Sequence, residues 1–252
     1  MNSDAPQPRK RHRFLKWLAI LFVIVVIPSS VWFVSQVVVY YHQIKSGDVR
    51  SVKDRRLQAS ISEHVANVTV TKEDLERLVP SGLAPELGAK DARVTVVEFV
   101  DYQCPFCQKT AQPLRNVMVA MGDKVRFIIR DFPILELHPT AKVSALAANC
   151  VLEQGQDAYW RFHDVVYADQ TRQSPEDLRA KAQFAGAKPA EYDACVSEGR
   201  HQAKIEEDIR IGIRAGVQGT PTFFVNGVKF QGAMDEKELT LILNAFLDRL
   251  PK

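Results

Sequence analysis

The sequence predicts an α/β domain: a parallel strand–helix–strand unit and a β-hairpin, with a long helical block between them, following an apolar segment and a polar connection. Three observations carry this. Val94–Val100 is a mostly β-branched and apolar run, Lys109–Met121 has helical character with Gly122 suited to its C-terminal cap, and Val125–Arg130 is a second strand-like run; that order favours a right-handed crossover and parallel pairing. Residues 139–217 carry only helical signals, with Val143, Leu146 and Ala147 on one apolar face, Trp160, Phe162, Val165 and Val166 on another, and Ile205, Ile209 and Ile213 four apart. Thr222–Val225, Asn226-Gly227 and Val228–Phe230 form a hairpin pattern, because Asn-Gly supplies the positive φ angles of a tight two-residue turn.

From the N-terminus, Arg9, Lys10, Arg11, Arg13 and Lys16 precede an apolar run from Trp17 to Tyr41 that no charge interrupts. About 20 helical residues cross a bilayer core, so the sequence predicts a basic tail over 1–13, a transmembrane anchor over 14–41 and a cytoplasmic N-terminus. The rival reading is a cleaved signal peptide ending near Pro28-Ser29-Ser30; the absence of a small-residue cleavage site and the continued apolar run speak against it. Residues 42–86 are more polar. Val49, Val52, Leu57, Ile61 and Val65 recur at near-helical spacing, too irregularly for a coiled coil, so the segment reads as a solvated stalk. Thr71–Asp74 resembles a helix start, with Pro80 ending that helix. The domain proper is placed at 87–252. In its helical block, Ser174 and Pro175 mark an N-cap and first helical position; near its end, Asp235 and Glu238 mark a capping box.

The 252 residues are 46% hydrophobic and 25% charged, a globular composition. The net charge of +3 draws in part on the N-terminal cluster. No interleaving of basic and aromatic residues points to nucleic acid.

The chemistry lies where the first strand ends. Asp101-Tyr102-Gln103 leads into Cys104-Pro105-Phe106-Cys107. Proline fits the first helical turn, so Cys104 falls at a helix N-terminus, at the mouth of the strand-to-helix junction, with Cys107 one turn inside on the same face. Unpaired N–H groups and the helix dipole favour an anion there, and the thiolate is the form that attacks disulfides. Four cysteines allow three pairings. The C-x-x-C pair is the local choice, which leaves Cys150 with Cys195. Chain entropy gives about 2 kcal/mol for a four-residue loop and about 4 kcal/mol for one of roughly 46 residues, so the short bridge reads as redox-active and the long one as structural. Zinc at the C-x-x-C pair lacks matching ligands, and no metal or organic cofactor is implied. Glu98, acidic within an apolar strand, is either functional or turned to water at a sheet end. His138 and His163 read as packing residues.

Glu98 six residues before the first cysteine, Cys104-Pro105-Phe106-Cys107 and the late Thr220-Pro221 together resemble the DsbA-like thiol–disulfide oxidoreductases of the thioredoxin fold. The likeness runs from about Leu87 to the C-terminus. It implies a thioredoxin-like fold whose helical insertion is the 139–217 block. It implies Cys104 as nucleophile, Cys107 as resolving thiol, Glu98 as the acid beside it, and Pro221 as a cis-proline facing the pair. Thr220 and Phe106 would contact substrate and tune the thiols. The expected activity is disulfide exchange with cysteine-bearing client proteins outside the cytoplasm, in the oxidising direction, with reoxidation by a DsbB-type membrane partner. A reductase or isomerase of the same fold, and a non-enzymatic chaperone or scaffold, are the alternatives.

Overall fold

The computed structural model describes residues 17, 22, 25–39, 41, 59–60, 63, 76–80 and 82–249. The chain divides into two units, Met1–Ala59 and Ser60–Lys252. In the first, residues 25–39 are helical. Among the described residues no helix is long and apolar enough to cross a membrane. The expected 14–41 span therefore has no counterpart there, and the rest of it, the basic cluster, the apolar stalk pattern and the Thr71–Asp74 helix start lie outside the described residues.

The second unit is a five-stranded sheet, β1 (Glu86–Leu87), β2 (Val94–Val100), β3 (Val125–Asp131), β4 (Thr222–Val225) and β5 (Val228–Gln231), in the spatial order β1-β3-β2-β4-β5. β2 and β3 run parallel, Val94 opposite Val125, and every other pairing is antiparallel. The crossover is α1 (Pro105–Met121), ended by Gly122 at φ 54°. The strand and hairpin patterns thus fold as their residues dictate, with Asn226 at φ 45° and Gly227 at φ 85° making the turn. The short edge strand β1 has no strand signature in the sequence; it forms because Glu86 and Leu87 pair with Ile128 and Phe127.

The helical block comprises α2 (Ala141–Leu152), α3 (Gln156–Ala168), α4 (Pro175–Phe184), α5 (Pro189–Glu198) and α6 (Gln202–Arg214), and α7 (Glu236–Leu247) closes the domain. Ser174 and Asp235 close reciprocal capping boxes with Asp177 and Glu238. Helix α6 packs on β3, and α1 packs on β3 and α7. One face of the sheet buries Val97, Phe99, Ile128 and Phe224 with Leu78, Phe132 and Val217, and the Phe99 ring meets Phe132 and Phe224 edge-on. Gly212 lets α6 approach this layer: a Cβ there would lie 2.6 Å from the Phe132 ring.

A buried charge network pins α6 to the sheet. Arg130 pairs with Asp208, and its Nε donates to the Leu78 carbonyl at 2.6 Å. Lys204 bridges Asp131 (2.7 Å) and Asp208 (2.9 Å), while Asn149 of α2 donates to Asp131 at 2.7 Å. Each charge has an opposite partner, which is what permits its burial.

Candidate active site

The chain leaves β2 through Asp101, whose buried carboxylate organises the turn that follows. Its Oδ1 accepts the Gln103 N–H at 2.8 Å; its Oδ2 accepts the Ile134 N–H at 2.8 Å and lies 2.8 Å from His138 Nδ1. The Asp101 carbonyl accepts the Cys104 N–H at 3.1 Å and the Tyr167 hydroxyl at 3.2 Å. Cys104 is thereby held at the N-cap of α1, with Pro105 in the first turn and no acidic residue there to compete for the helix N-terminus. The loop joining α3 and α4 holds the turn from the other side. Gln170 Nε2 donates to the carbonyls of Tyr102 (3.0 Å) and Cys104 (2.9 Å), and Gln173 Nε2 donates to Tyr102 (2.8 Å).

Both thiols are free and buried, Cys104 4% and Cys107 2% exposed. Cys107 is the more buried of the two, and the α3–α4 loop and the Thr220–Pro221 loop lie against the turn. The Cys104 thiol donates to the Thr220 carbonyl at 3.2 Å, and the Thr220–Pro221 peptide is cis. Pro221 therefore belongs to the loop facing the dithiol. Phe106, between the cysteines, is 53% exposed.

The two sulfurs differ in acidity. The Cys104 thiol is lowered to about 5, first by its hydrogen bond with the Cys107 thiol, then by the Thr220 hydroxyl and by the Cys107 and Phe106 N–H groups at the helix start, against the opposing effect of burial. The Cys107 thiol is pushed well up, mainly by burial and then by the Cys104 hydrogen bond and the Glu98 carboxylate. Glu98 is not turned to water: it is 3% exposed, and burial raises it to about 8. The sequence gives no sign of the aromatic wall here. Tyr102 stacks on Tyr167 at 5.3 Å, and its hydroxyl meets that of Tyr159 at 2.7 Å. His163 packs among these rings, its imidazole lowered by burial. His138 lies instead against Asp101.

Away from the dithiol, Cys150 of α2 and Cys195 of α5 form a disulfide spanning 45 residues. Among the described residues, the one group with metal-ligand composition is this pair with His201.

A parallel strand–helix–strand unit, an antiparallel hairpin and a cysteine pair at the helix start facing a cis-proline define a thioredoxin-class domain. The chain belongs to the thioredoxin family, residues 82–245 matching the family model Thioredoxin_4, and it carries a helical insertion between β3 and β4. A thioredoxin-like oxidoreductase from Silicibacter pomeroyi DSS-3 is similar at 26% identity and TM-score 0.60, covering 71% of this chain and 97% of that one. The thiol–disulfide exchange protein α-DsbA2 from Wolbachia pipientis shares the fold at 20% identity and TM-score 0.61, over 77% and 97% of the two chains. A Na+/H+ antiporter NhaA 3 from Salinispora tropica is 33% identical over 160 residues, 63% of this chain but 24% of the antiporter. The chain thus spans about a quarter of that relative's length.

Proposed function

We propose that the protein is a membrane-anchored, extracytoplasmic thiol–disulfide oxidoreductase that passes disulfides to client proteins. The observation that carries this is the asymmetric dithiol: an acidic Cys104 at the tip of α1, beside Thr220 and Pro221, backed by a far less acidic Cys107. A client thiolate attacks Cys104 of the oxidised pair, and Cys107 leaves as a thiolate. Glu98, raised to about 8 and so protonated at neutral pH, returns a proton to it. A second client thiolate then attacks the client's own sulfur in the mixed disulfide, and Cys104 leaves. A low-pKa thiol is the better leaving group.

The same acidity supports the oxidising direction, because stabilising the Cys104 thiolate stabilises the reduced enzyme and makes its disulfide a stronger oxidant. Phe106 and the Thr220–Pro221 loop would receive the client around the attacked sulfur. The Cys150–Cys195 bridge suits a compartment where disulfides persist. The anchor rests on the basic cluster and the uncharged Trp17–Tyr41 run; the helical, exposed Val31, Trp32 and Phe33 are consistent with it. Anchoring would place the domain near a membrane disulfide reductase of the DsbB type that reoxidises it.

The test is capture by Cys107→Ala, which leaves Cys104 without its resolving partner. Thiol-labile complexes of client proteins joined through Cys104, and oxidation of a reduced, unfolded protein by the wild type, are the expected results. Absence of both in an extracytoplasmic preparation overturns the reading.

A further inference from the structure

The Cys150–Cys195 bridge has an environment that a structural staple does not need. Cys150 and Glu153 lie one helical turn apart at the end of α2, Cys195 lies in α5, and His201 stands at the start of α6. Both cysteines are fully buried. The ligand atoms of Cys150, Cys195 and His201 lie within 4.8 Å of one another. His201 Nε2 is buried and makes no hydrogen bond, although Glu153 Oε1 is 3.0 Å away. The other Glu153 oxygen is held by Arg200 at 2.8 Å. The two sulfurs and the imidazole are therefore gathered together, with the Glu153 carboxylate against the imidazole.

We propose that the reduced form of this pair is a site for a divalent thiophilic cation, Zn2+ foremost, with Cys150, Cys195 and His201 as ligands and Glu153 as the fourth. Tetrahedral zinc holds sulfur at about 2.3 Å and imidazole nitrogen at about 2.0–2.1 Å, which separates its two sulfurs by about 3.7 Å. That is close to the van der Waals separation that two unbonded thiols adopt. The soft donors select zinc over magnesium or calcium. Charge also balances: two thiolates and the Glu153 carboxylate offset the cation and the Arg200 guanidinium.

The site belongs to the chain before its cysteines are joined. On binding, the two thiols release two protons and the cation takes both thiolates. On oxidation by a second disulfide, the two sulfurs give up two electrons and form their own bond. The oxidant is reduced to two thiols, which take up two protons, and the cation leaves. Disulfide and metal thus exclude one another at the same place. The donors lie on three separate elements, which explains why no ligand spacing marks them in the sequence.

The experiment uses the full chain with Cys104→Ser and Cys107→Ser, so that only the second pair can respond and the outcome is independent of the dithiol chemistry. Reduced with a phosphine and titrated with Co2+, it should bind one ion with a thiolate-to-cobalt charge-transfer band and tetrahedral visible bands, and Zn2+ should displace the cobalt. The oxidised protein should show neither band. His201→Ala in the same background should weaken binding by at least about tenfold, and Glu153→Gln by less. The proposal is overturned if the reduced protein shows no charge-transfer band, if the oxidised protein shows the same band, or if His201→Ala binds undiminished. Circular dichroism guards the titration: a reduced chain that unfolds and is not restored by Zn2+ also overturns it, whereas metal-dependent refolding supports it.

Discussion

The Cys104 sulfur and the Thr220 carbonyl lie 3.2 Å apart, so the thiol at the start of α1 and the loop before β4 are in contact across the sequence. In the thiol form Cys104 donates to that carbonyl. In the thiolate form the donor must come from elsewhere, and the Thr220 hydroxyl is buried with no hydrogen-bond partner. It is placed to turn toward the sulfur when the proton leaves, in line with its part in lowering the Cys104 thiol.

Alkylation of reduced protein at Cys104 should therefore follow a thiolate titrating near pH 5, with Cys107 unreactive until far higher pH. Thr220→Val removes the hydroxyl and should move the midpoint upward, slowing alkylation at pH 5 severalfold. Mass spectrometry of iodoacetamide-treated samples across pH 4–9 gives the profile. A midpoint in the ordinary thiol range for the wild type would contradict the acidity described above.

Glu98 gives a second pH signature. Its carboxyl is raised from 4.5 to about 8 by burial, so the neutral form is the one the fold favours. Its contribution to stability is full below about pH 4.5 and is lost as pH rises toward 8. Urea midpoints of the oxidised protein should fall across that window, and those of Glu98→Gln should stay flatter. The same substitution should slow mixed-disulfide turnover at neutral pH by on the order of 100-fold, as removing a general acid–base group does; stopped-flow fluorescence with a dithiol peptide measures it.

Asp101 accepts two backbone N–H groups and meets His138 while 1% exposed. Asp101→Ala leaves those donors without a partner and should cost about 1–3 kcal/mol per unsatisfied buried group. It should also loosen the turn that carries Cys104, raising its alkylation midpoint. Denaturant titration and the alkylation profile read the two effects separately.

Gly212 has no room for a side chain, since an added Cβ would sit 2.6 Å from the Phe132 ring and 3.0 Å from Phe99. Gly212→Ala should destabilise by about 1–3 kcal/mol through overpacking, with little change in the alkylation rate of Cys104. Calorimetry reads the first effect and iodoacetamide kinetics the second.

Much of this architecture is local and so was legible in the residues. Pro105 starts α1, the Asn226-Gly227 turn makes the hairpin, and Ser174 and Asp235 cap α4 and α7, each through contacts a few residues long. What escaped the sequence is built from long-range pairings without a periodic trace. Glu86 joins the sheet only because β3 offers it an edge. Gln170 and Gln173 reach carbonyls some seventy positions away. The burial of Glu98 rather than its exposure depends on the helices that cover its face of the sheet, and a strand pattern records only alternation.

The reach of those two glutamines makes the insertion more than an ornament on a smaller scaffold. The amides that tie down the Tyr102 and Cys104 carbonyls belong to a loop between inserted helices, so excising the block would untether the turn that carries Cys104. Evolution of a leaner version would require new donors for those oxygens before any of the helices could be lost.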